Sequence, residues 1–242
     1  MHTIEDTILS VLNQRYDNLE YILVDGLSTD GTVEIVKKYI PKISKFISEI
    51  DNGIYDAMNK GISHATGDII GFLNSDDVYN SNNIISSVVD SFRENNTDSV
   101  FGDLVYVSRN NINKVRRHWC SLSSNKYSFQ HGWHPPHPAL FIKREVFTKY
   151  GTFDLDFDLA ADFDLMLRFF EFYKISFFYL PNILVKMRLG GESNKSLINV
   201  LKQNYEILKS FKKYNISIFP PFYFFRRLYP KTLNYLKLNI FS

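Results

Sequence analysis

The chain has 242 residues, of which 45% are hydrophobic and 22% charged, and its formal net charge is +2, which is typical of a globular protein and argues against disorder. Its one cysteine, Cys120, excludes an intrachain disulfide and favours a reducing compartment. No apolar run approaches the roughly 20 residues of a spanning helix, and the N-terminus lacks an apolar signal core, so we expect a cytoplasmic protein.

Strands and helices alternate in the first half of the sequence. The predicted elements are, in chain order, helix Thr3–Gln14, strand Tyr21–Val24, a helix capped within 28–31 and running to Tyr39, strand Lys45–Ile50, helix Ile54–His64, strand Asp68–Leu73 and helix Ile84–Arg93. Such alternation predicts an α/β fold with a mainly parallel central sheet flanked by helices.

The second half is less regular. The predicted elements are an antiparallel pair, Val100–Val107 with Lys114–Trp119, then a proline-rich loop at His131–His137, helix Asp162–Tyr173, strand Asn182–Leu189 and helix Asn194–Tyr214. We expect a single domain over residues 1–214, followed by a basic, aromatic tail over 215–242.

Polar clusters follow three of the predicted strands. Asp25 and Asp51 each come after one strand, and Asn74–Asp77 follows the third. Ligands of open α/β sheets bind at the carboxyl ends of strands. The adjacent carboxylates of Asp76 and Asp77 repel each other unless a cation lies between them, and Mg²⁺ or Mn²⁺ often takes one or two carboxylates plus substrate phosphates. The alternative is a helix cap or an Asx turn.

Four motifs in this order resemble those of the family-2 glycosyltransferases of GT-A fold. The motifs are VDGLSTDGT, EIDNGIYDAMNKG, ATGDIIGFLNSDD and AADFDLMLR, and the resemblance covers roughly Thr3 to Ser193. It is strongest to bacterial enzymes that build exopolysaccharides, O-antigens or colanic-acid-type polymers. It implies an inverting enzyme that moves a sugar from a nucleoside-diphosphate donor, UDP-linked, to a saccharide or lipid-linked saccharide, with Mn²⁺ or Mg²⁺ as cofactor.

The resemblance also implies roles for residues on the donor side. Asp25 would accept a hydrogen bond from the nucleotide base, with Asp51 nearby on the nucleoside side. Many relatives carry Arg where this chain has Met58. Lys60, two residues further on, could bind the diphosphate in its place.

The segment Asn74-Ser75-Asp76 occupies the position of the family's Asp-x-Asp motif. The resemblance makes Asp76 the metal ligand and Asp77 the second choice. Because Asn stands first in the motif, Asn74 suits a ribose hydroxyl better than the ion. We expect Asn74 and Ser75 to bind the donor.

The segment Phe153–Asp164 concentrates acidic residues. A calcium loop would need Gly and Glu where Leu159 and Leu165 stand, so we reject that interpretation. Asp162 could stabilise the N-terminus of a helix. By resemblance it occupies the aspartate of the family's Glu-Asp motif, the catalytic base, although alanine replaces the glutamate. Asp164 is the second candidate for the catalytic base, although a structural or acceptor-binding role suits its position better.

Three histidines, His131, His134 and His137, are spaced three apart. This spacing invites a zinc interpretation, but the intervening prolines prevent the helix that would align them. Trp133 and His137 instead border the sugar or acceptor pocket in our interpretation, so His137 joins the donor-binding residues. Plain loop packing is the equally supported alternative.

Seven Lys and Arg residues and no acidic residue follow Glu206, four of them in the tail, so the C-terminal part is basic and the rest of the chain acidic. The aromatic and basic residues of the tail suit contact with a membrane surface, or a helix packed on the body. The acidic body and the absence of an RNA-binding motif argue against nucleic acid as a partner.

Relatives normally begin with an apolar strand before the helix that starts here at Thr3. That strand would lie in the middle of the sheet and supply part of the nucleotide site. Either the chain start is misassigned or truncated, or this is a damaged copy. If the sequence is complete, we expect an exposed apolar sheet edge, poor solubility and weak or no activity. The missing strand motivates one alternative function, a non-catalytic remnant that binds nucleotide sugars. Another alternative is a nucleotidyltransferase, which also combines a metal and a nucleotide on an α/β sheet. Such enzymes usually open with a glycine-rich, basic phosphate loop, which this sequence lacks.

Overall fold

The structure, a computed structural model, describes residues 2–121, 129–190 and 196–226. The helices are α1 (His2–Leu12), α2 (Thr32–Lys37), α3 (Ile54–His64), α4 (Ile84–Asn95), α5 (Arg144–Tyr150), α6 (Ala161–Leu167) and α7 (Leu197–Lys213). The strands are β1 (Ile22–Asp25), β2 (Lys45–Ser48), β3 (Ile69–Gly71), β4 (Val78–Tyr79), β5 (Ser99–Ser108), β6 (Asn111–Trp119), β7 (Leu140–Lys143) and β8 (Phe177–Arg188). In the described part of the chain, no helix is long and apolar enough to cross a bilayer.

The strands form two sheets. β1 and β2 pair in parallel, and the larger sheet has the order β3-β7-β5-β8-β4, with β6 also paired to β5. This arrangement confirms the predicted α/β class. The larger sheet is mixed rather than mainly parallel, because the short strand β7 lies antiparallel between β3 and β5. The pairing of β5 with β8 is parallel, and the predicted antiparallel pair is found in β5 and β6.

A gap separates the two sheets. β1 pairs with β2 and β3 pairs with β7, and no strand of the described residues lies between β1 and β3. A cleft of about 1660 Å³ is lined by Ile22 and Val24 of β1 and by Ile69 and Ile70 of β3. This is the place where the sequence predicts a strand ahead of α1.

Most of the core is aromatic. Phe101, Phe129 and Phe211 are at most 1% exposed and belong to one cluster, which also contains Tyr223. The ring of Tyr223 packs edge-on against Phe211, with 5.2 Å between centroids. The described part of the predicted tail, 215–226, therefore packs on the domain. The remainder of the tail, 227–242, lies outside the described residues, so its separation from the domain stays a prediction.

Candidate active site

The cleft gathers several of the predicted site residues from distant parts of the sequence. Its lining includes Asn74, Ser75 and Asp76 after β3, His137 before β7, and Asp162 in the first turn of α6. The ends of β3 and α6 therefore face a common space, as a reaction between two substrates requires.

Asp25 and Asp51 lie close together. Asp25, the last residue of β1, is 6% exposed, and its Oδ2 accepts hydrogen bonds from the backbone N–H of Ser28 (3.1 Å) and the hydroxyl of Ser48 (2.8 Å). A Cβ atom at Gly26 would lie 2.3 Å from Oδ2 of Asp51. The Asp51 carboxylate thus packs against Gly26, the residue that follows Asp25.

A tight turn leads from β2 into α3. The Oδ1 atom of Asp51 accepts a hydrogen bond from the backbone N–H of Gly53 (2.9 Å), and Gly53 has a φ of 107°, which side chains disfavour. Oδ2 of Asp56 accepts from the N–H of Asn52 (2.9 Å). These bonds fix the turn at 51–53 and the orientation of Asp51 within it.

Asp76 and Asp77 differ sharply in environment. Asp77 is 1% exposed, and its carboxylate accepts hydrogen bonds from the backbone N–H of Arg188 (3.0 Å) and from Nδ2 of Asn74 (3.2 Å). Burial, with the charge of Asp76 adding to it, raises the pKa of Asp77 to about 7. Asp76 lines the cleft and Asp77 does not, so the structure favours Asp76 over Asp77 as a ligand.

Arg188 is a site residue that sequence reasoning missed. Its side chain is 4% exposed and forms an ion pair with Asp6 of α1 (2.5 Å). The same guanidinium donates to the backbone carbonyl oxygens of Asp76 (2.5 Å) and Arg109 (3.2 Å). The signal that could have revealed it is an arginine near the end of a predicted strand, Asn182–Leu189, that is mostly apolar.

The donor set fits a hard cation better than zinc. Among the described residues, no group of three or more His, Cys, Asp or Glu side chains is arranged to hold a metal ion. Asp76 offers one carboxylate at the cleft, with Asn74 and Ser75 beside it. Mg²⁺ and Mn²⁺ accept such a sparse set when phosphate oxygens complete the coordination.

Asp162 is held by a tyrosine that sequence reasoning also missed. Its Oδ1 accepts hydrogen bonds from the hydroxyl of Tyr55 (3.1 Å) and from the backbone N–H of Phe163 (2.8 Å). Burial raises the pKa of Tyr55 well above its usual value, so Tyr55 stays protonated as a donor. Both bonds end on Oδ1, and none of the described residues donates a hydrogen bond to Oδ2.

His137 is buried at the same cleft. Its ring stacks on Phe72 at 5.4 Å between centroids, and its Nε2 has no hydrogen-bond partner among the described residues. Burial lowers the pKa of His137, while the charge of Asp162 acts in the opposite direction. The ring is therefore neutral and can offer Nε2 to a bound hydroxyl.

Helix α7 supports Asp162 from behind. The buried carboxylate of Glu206 accepts hydrogen bonds from the backbone N–H groups of Asp158 (3.2 Å), Leu159 (2.8 Å) and Ala160 (2.9 Å). Sequence reasoning missed this role, although Glu206 is the last acidic residue of the chain. The loop that leads to Asp162 is thereby tied to α7.

The other acidic residues of this segment have structural partners. Asp164 is fully buried and accepts hydrogen bonds from Ser210 (2.6 Å) and Tyr214 (3.1 Å). Asp154 pairs with Lys213 at 2.7 Å, and Asp158 pairs with Lys202 of α7. Lysines of α7 thus face this loop.

Five predicted site residues do not line the cleft, namely Asp25, Asp51, Lys60, Asp77 and Trp133. The ammonium of Lys60 contacts Glu49 (3.0 Å) and the carbonyl oxygen of Ile50 (2.5 Å), and the hydrogen bond to Glu49 raises its pKa. Trp133 is 8% exposed within the aromatic core, and its Nε1 donates to the carbonyl oxygen of Ser121 (2.8 Å). The expectation that Trp133 borders the pocket is wrong, because its indole satisfies its one donor inside the core.

The strand order and the cleft define the fold as one of the GT-A class. Solved structures of this fold superpose well on the chain. With TarS of Staphylococcus aureus in complex with UDP, the TM-score is 0.61 at 17% identity, covering 88% of this chain and 68% of that one. With the mannosyltransferase PcManGT of Pyrobaculum calidifontis in complex with GDP-Man and Mn²⁺, it is 0.65 at 18% identity, covering 94% and 66%. These structures confirm the predicted fold.

Residues 2–151 match the family described as Glycosyl transferase family 2, and the chain belongs to that family. An uncharacterized glycosyltransferase of Mycobacterium tuberculosis is 32% identical over 167 residues, which is 68% of this chain and 63% of the relative. A PGL/p-HBAD biosynthesis glycosyltransferase of Mycobacterium bovis is 29% identical over 190 residues, which is 76% of this chain and 72% of the relative. The chain also spans 41% of a longer TarS chain.

Proposed function

We propose that this chain carries the catalytic site of an inverting, metal-dependent glycosyltransferase. The donor is a nucleoside-diphosphate sugar, UDP-linked, and the acceptor is a saccharide or lipid-linked saccharide of a surface polysaccharide or glycolipid. The proposal rests on one observation. Asp76, which follows β3, and Asp162, in the first turn of α6, line the same cleft. The UDP-bound neighbour and the relative named for PGL/p-HBAD biosynthesis support the choice of donor and acceptor.

The donor lies along the strand ends in this proposal. Asp25 binds the base, with Asp51 beside it, and Asn74 and Ser75 contact the ribose and phosphate. Asp76 would hold Mn²⁺ or Mg²⁺, and the positive charge of that ion would offset the negative charge on the leaving diphosphate. Asp77 is the second choice of ligand, because its carboxylate already accepts hydrogen bonds from the backbone N–H of Arg188 and from Nδ2 of Asn74.

The remaining donor contacts are Lys60 and His137. Lys60 would bind the diphosphate only by leaving Glu49, so its role has the weaker support. His137 borders the sugar, and the unpartnered Nε2 within the described structure supports a hydrogen bond to a sugar hydroxyl.

Asp162 acts as the base. The acceptor oxygen forms a bond to the anomeric carbon while the bond from that carbon to the diphosphate oxygen breaks. The free oxygen of the Asp162 carboxylate takes the acceptor's proton, and Tyr55 holds the other oxygen. Because attack and departure are on opposite faces, the anomeric configuration inverts without a covalent enzyme intermediate.

The proposal places the protein in the cytoplasm, peripheral at the inner face of the plasma membrane. The basic and aromatic composition of the tail supports a contact with that surface. The second candidate is a non-catalytic remnant, which binds nucleotide sugars without turnover.

The experiment is UDP-sugar turnover with Mn²⁺, comparing wild type with Asp162→Asn. Asp156→Asn is the matched control, because Asp156 is exposed in the same loop. We expect Asp162→Asn to lose turnover by about 10²-fold or more, the scale of a lost general base, while it still binds UDP. Equal turnover by Asp162→Asn and wild type would show the base assignment to be wrong. Donor binding without turnover by the wild type would favour the remnant.

A further inference from the structure

One cationic side chain of the cleft wall differs from the others. The cations that line the cleft are Arg93, Arg109, Lys143, Arg144 and Arg188. Four of them are engaged, since Arg93 contacts Asp90, Lys143 contacts Glu145, Arg144 donates to the carbonyl oxygen of Gly67, and Arg188 pairs with Asp6. Within the part of the chain that the structure describes, the guanidinium of Arg109 has neither an ion pair nor a hydrogen bond. Its charge is therefore left for a ligand.

Arg109 lies beside the loop that carries Asp76. It stands in the turn between β5 and β6, and its backbone carbonyl oxygen accepts a hydrogen bond from Nε of Arg188 (3.2 Å). Nη1 of the same guanidinium donates to the carbonyl oxygen of Asp76 (2.5 Å). Because a guanidinium is planar and rigid, Arg188 holds the backbones of Arg109 and Asp76 next to each other.

Gly190 leaves room for the side chain of Arg109. A Cβ atom at position 190 would lie 3.0 Å from Nη1 of Arg109. Gly190 also has a φ of 112°, which side chains disfavour. Since Gly190, Arg109 and Asp76 all line the cleft, the guanidinium of Arg109 lies over Gly190 at the cleft wall.

The charges expected at this end of the cleft do not balance without a further cation. A nucleoside diphosphate carries more negative charge than one divalent ion neutralises, and the carboxylate of Asp76 adds to the surplus. Arg188 is already paired with Asp6, and Lys60 is paired with Glu49. An arginine suits the vacancy, because its N–H groups bind phosphate oxygens in pairs.

We propose that Arg109 binds the β-phosphate of the donor, the role that the sequence suggested for Lys60. The inference rests on the proposed function, which it deepens by assigning a second positive charge to the diphosphate. Unlike the charge of the metal ion, the charge of Arg109 is part of the chain. Arg109 therefore distinguishes a diphosphate from a monophosphate even when the metal is removed.

The test is calorimetric affinity for UDP and for UMP, each measured in Mn²⁺ and in EDTA. The variant is Arg109→Gln, and Arg116→Gln is the matched control, because Arg116 is exposed on β6 of the same hairpin and does not line the cleft. We expect wild type and control to prefer UDP over UMP in both media. Arg109→Gln should bind UDP about tenfold more weakly, the scale of a lost charge-assisted hydrogen bond, with the affinity for UMP unchanged.

Two further measurements separate the charge of Arg109 from its shape and from folding. Arg109→Lys keeps the charge without the paired N–H groups, so its UDP affinity should lie between those of Arg109→Gln and wild type. The Tm of Arg109→Gln should equal that of Arg116→Gln, because the side chain has no partner within the described structure.

The possible outcomes distinguish this inference from the proposed function. If Arg109→Gln binds UDP as wild type does, or loses affinity for UMP and UDP alike, the assignment of Arg109 to the β-phosphate is wrong. The proposed function survives either result, since wild type still binds UDP with help from manganese. A wild type that binds neither nucleotide would overturn the proposed function and this inference with it.

Discussion

The guanidinium of Arg188 donates a hydrogen bond to the backbone carbonyl oxygen of Asp76 over 2.5 Å, although 112 residues separate them in the sequence. The backbone N–H of Arg188 binds the neighbouring carboxylate of Asp77. One residue at the end of β8 thus fixes the loop in which Asp77 turns inward and Asp76 lines the cleft.

Replacing Arg188 should therefore disturb both stability and the metal site. In Arg188→Met the side chain loses its ion pair with Asp6 and its two carbonyl contacts. We expect the free energy of unfolding to fall by about 3 kcal/mol, the low end for a broken buried pair, because Asp6 is 49% exposed. Manganese-dependent UDP binding should weaken as well. Arg93→Met, at a 69% exposed side chain, is the control in chemical denaturation, and equal stability of the two variants would contradict this role.

Glu206 should matter more than an ordinary polar residue of a helix. Glu206→Gln keeps the shape but leaves one of three backbone donors facing an amide N–H₂. An unsatisfied buried donor costs about 1–3 kcal/mol, and each kcal/mol lowers Tm by about 2–4 °C in a chain of this size.

The measurement is a thermal melt of Glu206→Gln beside Glu94→Gln, whose side chain is exposed on α4. The Glu206 variant should also lose turnover, because the loop at 158–160 orients Asp162. If Glu206→Gln has the same Tm as Glu94→Gln, the backbone amides of 158–160 find other hydrogen-bond partners and the prediction is wrong.

His137 should make the fold sensitive to acid. Its pKa is lowered in the folded state by burial, so the unfolded chain binds a proton at a higher pH than the folded chain does. Stability from this group is complete above the unfolded pKa of about 6.5 and is lost as pH falls below it.

The variant His137→Phe keeps a ring against Phe72 and removes the titration. The difference in unfolding free energy between the variant and wild type should shift in favour of the variant from pH 7.5 to pH 5. His64→Phe is the control, because His64 is exposed. A difference that is constant over this range would contradict the prediction.

The gap between β1 and β3 predicts a response to an added strand. An upstream extension of about ten residues, the upper length of an ordinary strand, should pair with both edges if it is apolar and β-branched. It should raise Tm and strengthen UDP binding, since the new strand covers Ile22, Val24 and Ile70 of the cleft wall. An extension of the same length in Gly and Ser is the control. No gain in UDP affinity over that control would refute the idea that this strand completes the donor site.

The sequence predicted elements well where local signals agree. Helix α3 has the predicted bounds, Ile54–His64, because a turn at 51–53 precedes apolar residues at helical spacing. Strand β7 was missed, because its four residues follow a proline-rich loop and pair only with distant strands. Helix α5, at Arg144–Tyr150, follows it without a cap signal.

The site could be predicted only in part for the same reason. Asp76 and Asp162 carry recognisable motifs, but the groups that hold them do not. Tyr55 lies 107 residues from Asp162, and Glu206 lies 46 residues from Ala160. Such partners are set by tertiary packing, and a single sequence contains no local pattern that pairs them.

The most direct test of the account is the affinity for UDP, measured by calorimetry in Mn²⁺ and in EDTA. We predict that wild type and the exposed control Asp90→Asn bind UDP more tightly with Mn²⁺, and that Asp76→Asn loses this difference. If manganese leaves wild-type affinity unchanged, or if Asp76→Asn keeps the full enhancement, the metal-bridged donor site proposed at the end of β3 is wrong.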